Sequence, residues 1–495
     1  MLFGAQANPI QYQYASLPPS PPRHWLWGNI SFFSIPYRYV LLATEYKKQL
    51  GDIVSVITPL RIAVFVNTAE LTTELLEKQA AFTADRPRDV MIGEIMGWNT
   101  AVSFRKHDEF HKKMRRVMAS ALHPAAARSY APQHLSNTLD LLCKIAEKPE
   151  TFVDISTQVI GAFILRITYG YEPMTKEDPF IVRVHRAFQH LKYAASTYHL
   201  VNDFPILRYV PAWVPGAGFQ KLGRKGAELR TGFADEAFKM VFDQVCQGKV
   251  KQPCYVSRLL ESKGGASVSQ EDIELIKWTA ASLSTGGTTT TVVLVNSFIL
   301  MMSLHPEVAE KAQAEIDSVV GRGRIPDFHD RNSLPFTESV IWEIRSGVPH
   351  VSTEDIELRG YRIPKGTLIF SNIWAILHDP DYYPSPHTFE PSRFLKHKPE
   401  PDPRKFLFGF GRRVCPGLHI ANDSSWIICT GLLSLFNIRP SAQLEAKVQS
   451  LGGRNSERLV ELFEPGGATA DPLPFSCDIS PRDSVALALL ENSSA

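Results

Sequence analysis

The 495-residue sequence has no paired cysteine spacing, no excess charge of one sign, no internal repeat and no long low-complexity tract. Its six cysteines (Cys143, Cys246, Cys254, Cys415, Cys429, Cys477) are scattered, which argues against a disulfide scaffold and fits a reducing compartment. Net charge is +2, from 53 basic and 51 acidic residues, so nothing global points to nucleic acid. Met1 to Tyr14 holds Gln6, Asn8, Gln11 and Gln13 and no apolar run, so it reads as neither a signal peptide nor a span of ~20 apolar residues. No Gly-x-Gly-x-x-Gly or flavin motif is present.

What the chain does contain is ordinary globular composition, 44% hydrophobic and 21% charged, enough for a large core. A stiff Leu17-Pro18-Pro19-Ser20-Pro21-Pro22 segment follows the polar start. Tyr37 to Leu50 has helical spacing, Ile53–Thr58 and Arg61–Asn67 read as paired strands, and Thr68 reads as a helix N-cap. Asp89 to Ser103 reads as a loop, and Arg105 to Arg116 as a basic stretch with a solvated face. Glu271 to Leu304 is a long helical pattern that could run ~50 Å. Its most apolar part, Val292 to Leu304, is too short for a span and contains Asn296 and Ser297, so a core helix is expected. Within it, Gly286-Gly287 precede Thr288 to Thr291. Helical glycines cost ~1 kcal/mol each, so something must approach that backbone closely. His305–Gly321 and Ser333–Arg345 read as further helices, and Gly360 to Thr367 as a hairpin.

The chain is organised around Phe408-Gly409-Phe410-Gly411-Arg412-Arg413-Val414-Cys415-Pro416-Gly417, followed by an apolar helix from Trp426. A cysteine at a helix N-terminus in a glycine loop suits a thiolate metal ligand, and Arg413 suits a carboxylate. The string resembles the haem loop of the cytochrome P450 superfamily, Phe-x-x-Gly-x-Arg-x-Cys-x-Gly, with every fixed position present. The resemblance implies a mainly α P450 fold with a small β-sheet region. Residues 17–485 would be the P450 domain, 1–16 an N-terminal tail without a membrane helix and 486–495 a C-terminal tail.

The resemblance also implies roles. Cys415 is the expected axial ligand of haem b iron, with Phe408, Gly411 and Gly417 shaping its loop. Arg413, Arg115, His350 and His111 are expected at the haem propionates; His111 stands where the family often has Trp. Gly286-Gly287-Thr288-Thr289-Thr290 resembles the oxygen-binding groove, with Thr290 guiding protons and Thr289 at the usual acid position. A threonine there cannot hold a charge near neutral pH, so proton relay runs through water or is poor. Asp471 to Phe475 resembles the final pocket loop, with Ala468 to Ala470 facing substrate. Phe204 to Gly216 resembles fungal members that tailor secondary metabolites.

One departure is serious. The family's Glu-x-x-Arg helix pairs with the arginine of a Phe-x-Pro-x-Arg-Phe loop, here Phe389 to Phe394 with Arg393. Glu343 is followed by Arg345 two positions on, a different helix face, and about seven residues are missing before Pro349-His350. A lost internal piece of sequence and a real deletion that weakens haem retention both account for this; intact flanking motifs favour the first.

The expected activity is a monooxygenase that inserts one atom of O₂ into a small apolar organic substrate. NADPH–cytochrome P450 reductase would supply electrons, meeting a basic face drawn from Lys106, Lys112, Lys113, Arg404, Lys405 and Arg412, and the enzyme would act as a monomer. The alternatives are a peroxide-using or isomerising haem-thiolate enzyme, and an inactive relative or gene-model artefact. Location stays open, since the family usually sits on the endoplasmic reticulum membrane and this chain shows the hinge without the helix.

Overall fold

The computed structural model describes residues 17–173, 178–342, 350–465 and 470–494. The helix Gln270–Leu304 runs through the centre, capped by Ser269, whose hydroxyl accepts the Asp272 N–H at 3.2 Å. It packs against Phe152–Tyr169, Gly218–Cys246, Glu109–Leu122 and Leu418–Leu435. Among the described residues two helices, Pro149–Tyr169 and Gln270–Leu304, are long and apolar enough to cross a membrane, and most of each is buried inside the fold. Two large cores meet along the central helix. Leu275 to Leu283 join one with Phe163, Ile164 and Phe233; Val292 to Met302 join the other with Leu141, Trp426 and Leu432. The glycine–threonine stretch falls between them.

The β region is small. Strands β1 (Ile53–Ile57), β2 (Ile62–Val66), β3 (His350–Val351) and β6 (Leu368–Ser371) form one sheet in the order β1-β2-β6-β3; β4 (Ile356–Leu358) pairs with β5 (Tyr361–Ile363), and β7 (Phe436–Pro440) with β8 (Cys477–Pro481). β-branched residues predominate in β1 and β2, and Phe65 stacks on Phe370 with centroids 4.6 Å apart. This is the mainly α architecture expected.

Two local readings change. Asp89 to Ser103 is not simply a loop. The Asp89 carboxylate accepts the Ile92 N–H at 2.6 Å and starts a turn of π-helix, Val90–Ile95, which buries Met91 and Ile92. Residues 486–494, expected as a tail, continue the helix Ser484–Ser494, and Ala486 and Leu490 are buried in the second core.

His134 sits in the junction of three helices, 3% exposed, with its ring 4.5 Å from that of Phe163. Burial pushes its pKa down to about 3. Below about pH 6.5 the unfolded chain therefore binds a proton that the folded chain refuses, and stability falls with pH until about pH 3. The expected contribution is about 1.4 kcal/mol per pH unit in that window. His134→Phe should flatten the slope, as read from denaturant midpoints between pH 4 and 7; an unchanged slope would show that His134 is not a source of acid sensitivity.

Candidate active site

The cysteine loop is built on backbone geometry. Gly409 and Gly411 have φ of +79° and +51°. A Cβ on Gly411 would lie 2.5 Å from the Leu76 carbonyl oxygen, so only glycine fits. The Cys415 N–H donates to Phe408 O at 2.7 Å, closing the loop just before the helix Leu418–Leu435. Cys415 lies deep in the molecule yet keeps accessible surface. Burial pushes its thiol pKa up, while the Gly417 N–H and Arg115 pull it down. Burial prevails, so the protein groups alone do not create the thiolate that the loop's position suggested. A coordinating metal cation deprotonates a thiol outright.

Beside this loop the chain collects buried positive charge. Arg413 donates to Ala84 O at 2.5 Å, Arg105 O at 2.8 Å and His111 Nε2 at 2.7 Å. Burial first, then Arg115, lowers its pKa to about 10, with Asp85 opposing. Arg115 is lowered by burial. His111 is fully buried, and burial together with Arg413 pushes it down to about 3, so the neutral ring accepts from Arg413. His350 donates from Nδ1 to Thr83 O at 3.0 Å and is also held near 3, by burial and Arg86. Arg86 joins this cluster. Burial and Arg413 lower it to about 9, and its Nε donates to Ser103 O at 2.9 Å. Its local string, Asp85-Arg86-Pro87-Arg88, has no periodicity to mark a buried cation.

The central helix supplies a second surface. Gly286 and Thr290, one turn apart, are exposed on a helix otherwise largely buried, and a Cβ on Gly286 would meet nothing within 4 Å. Thr290 donates to Gly286 O at 2.6 Å. Thr289 lies off that face: it is 5% exposed and donates to Thr285 O at 2.7 Å. Gly287 also turns away, where a Cβ would come 2.8 Å from Ile164 Cδ1. Gly287→Val should therefore cost about 1–3 kcal/mol by overpacking. Gly286→Ala should leave stability equal or raise it by up to about 1 kcal/mol while obstructing the open face. Chemical denaturation of the two variants checks this ordering.

A family model for Cytochrome P450 matches residues 18–453. The chain belongs to the cytochrome P450 family. It is 34% identical to Cytochrome P450 monooxygenase 208 of Postia placenta over 96% of this chain and 92% of that one. It is 33% identical to Cytochrome P450 monooxygenase claR of Ampulloclitocybe clavipes, covering 96% and 88%. Tryptamine 4-monooxygenase of Psilocybe cyanescens is 31% identical, covering 96% and 95%. The protein is thus a P450 monooxygenase, and its cofactor is haem iron.

The residues present fit that group. A deep thiol with accessible surface, a helix face opened at Gly286, two buried guanidiniums (Arg86, Arg413) and a half-buried one (Arg115) suit an iron with a dianionic rim. Among the described residues His107 Nε2 is buried without a partner in the same cluster, 3.3 Å from His111 at its other nitrogen. Glu343, Arg345, Ala468 and Thr469 of this P450 lie outside the described residues. Arg393 is buried, bonded to Ser385 O at 2.8 Å and Glu400 at 2.7 Å.

Proposed function

We propose that Cys415 ligates haem b in this P450 and that Thr290 hands protons to the reacting oxygen. The substrate in this reading is a small apolar organic molecule, a secondary metabolite, and electrons come from an NADPH-dependent reductase. The observation that carries the ligand assignment is the deep yet accessible thiol in the Gly409–Gly411 loop, among buried arginines. Bound haem supplies oxygen activation, and a thiolate ligand favours O–O cleavage. Arg86, Arg115 and Arg413 orient the propionates as fixed cations. His111 acts through Arg413, holding its guanidinium rather than touching the carboxylate. His350 spends its Nδ1–H on Thr83 O, so it donates to a propionate only when protonated. The relative named for tryptamine acts on a small aromatic amine, which supports the size of substrate. The purified chain, loaded with haem, reduced and exposed to carbon monoxide, should give the Soret band of a thiolate ligand. A band typical of a neutral thiol, or none, overturns the ligand assignment.

Peroxide use is the second reading, and the Thr289 geometry favours it. The hydroxyl at the acid position is buried and bonded to its own helix, so it brings no charged proton carrier to the Gly286 face. Product formation with hydrogen peroxide and no NADPH supports this reading; strict dependence on NADPH and a reductase removes it.

A further inference from the structure

Arg404 looks like a surface cation in the sequence, but it is turned inward. Its guanidinium stacks over Trp342 at 4.1 Å, donates to Asp402 at 2.8 Å, and reaches Glu338 Oε1 at 3.2 Å. Glu338 sits in the helix Pro335–Trp342, is largely buried, and also accepts the Trp342 indole N–H at 3.1 Å. Its main partner is Arg331, in a two-pronged pair: Nε to Oε2 at 3.0 Å and Nη2 to Oε1 at 2.9 Å. The remaining arm of Arg331, Nη1, donates to Asp423 at 2.8 Å, in the second turn of the helix Leu418–Leu435. Five charged groups from four separate stretches of chain thus share one network.

The placement of its two outer members matters. Arg404 stands eleven residues before Cys415 and Asp423 eight after it. Both are anchored to the same Glu338–Arg331 pair, which belongs to neither flank. We propose that this pair positions the thiol: it holds the two ends of the cysteine loop at a set separation, so that Sγ is presented at one height for the iron. The proposal rests on the reading of Cys415 as the haem ligand. Inside the loop the Cys415 N–H to Phe408 O bond sets local shape but not the position of the whole loop. The network does that from outside. A forked arginine–carboxylate pair fixes angle as well as distance, and partial burial limits competition from water. Glu338, Arg331, Arg404 and Asp423 are positioning residues, since none touches the thiol.

The test is the carbon-monoxide spectrum of reduced, haem-loaded Arg404→Met, Asp423→Asn and Glu338→Ala, each compared with wild type at equal haem content. The expected result is at least a threefold fall in the ratio of thiolate-type to neutral-thiol band in each variant. The double variant Glu338→Ala/Arg404→Met should be no worse than Glu338→Ala, because both act on one network. Arg439→Met, which breaks an exposed pair with Glu310 elsewhere, should keep the wild-type ratio. A purely structural role lowers folded yield and haem content together without moving that ratio. Variants that fold, take up haem and keep the wild-type ratio overturn the proposal. If Glu338→Ala does not fold, the Arg404 and Asp423 variants decide it. A wild-type chain that takes up haem without a thiolate band overturns the Cys415 reading, and this inference with it.

Discussion

Cys415→Ser should abolish the thiolate-type carbon-monoxide band and lower turnover by at least about a thousandfold, roughly 4 kcal/mol of barrier. Serine is nearly the same size, and the backbone bond from residue 415 to Phe408 O survives, so the fold should persist. The loss is electronic. A hydroxyl is a far weaker acid than a thiol and pushes less charge onto iron. Stability should move by less than about 1 kcal/mol, since one buried small side chain replaces another. The checks are the spectrum, haem content and a denaturant melt on the same preparation. A Cys415→Ser protein that retained the thiolate band would mean that another cysteine binds the iron. Cys429 is the nearest in sequence, but it is fully buried in the second core.

The second large effect is expected at Arg393, which is 2% exposed. It donates to Ser385 O at 2.8 Å, Thr388 O at 2.5 Å and Glu400 Oε2 at 2.7 Å. Arg393→Met leaves a largely buried Glu400 carboxylate and three carbonyls, Glu390 O (from Nε at 3.2 Å) included, to be resolvated. Breaking such a pair from one side costs about 3–5 kcal/mol. For a chain of this length the unfolding entropy is about 1 kcal/mol per degree, so Tm should drop by roughly 3–5 °C. Arg393→Lys keeps the charge but not the forked geometry, and should fall between. A differential scan of the three proteins measures it. A shift of less than a degree in Arg393→Met would mean that Glu400 finds another cation, with Lys396 only 3.4 Å away.

These two residues show what local sequence carries well. Cys415 and Arg393 each lie in a short string whose spacing is a property of one loop, and in the cysteine loop Gly409 and Gly411 take the left-handed backbone. The strand pair at Ile53–Ile57 and Ile62–Val66 and the long central helix were legible for the same reason, since alternation and helical period are local patterns. Asp89 to Ser103 was harder. Its turn is nucleated by the Asp89 side chain and stabilised by burial of Met91 and Met96, and neither shows in periodicity. The C-terminal helix is not legible locally because its signal is packing of Ala486 and Leu490 against distant residues.

The charge field was the least legible part. Arg86 reads as one basic residue among many, yet it is buried with Arg413 and beside the half-buried Arg115, in a cluster drawn from three regions of the chain. Arg404 reads as a docking cation, and tertiary contacts turn it onto Trp342 and Glu338. His111 occupies a position where the family often has Trp, and only the structure shows that it grips Arg413. By itself the sequence determined the family, the mainly α fold, the cysteine loop and the glycine–threonine stretch of the central helix. All of these are written in neighbouring residues. Tertiary structure decided which face of that helix is open, which arginines are buried and which ion pairs hold the loop's flanks. Burial and electrostatic potential are sums over residues far apart in the chain, so no stretch of sequence contains them.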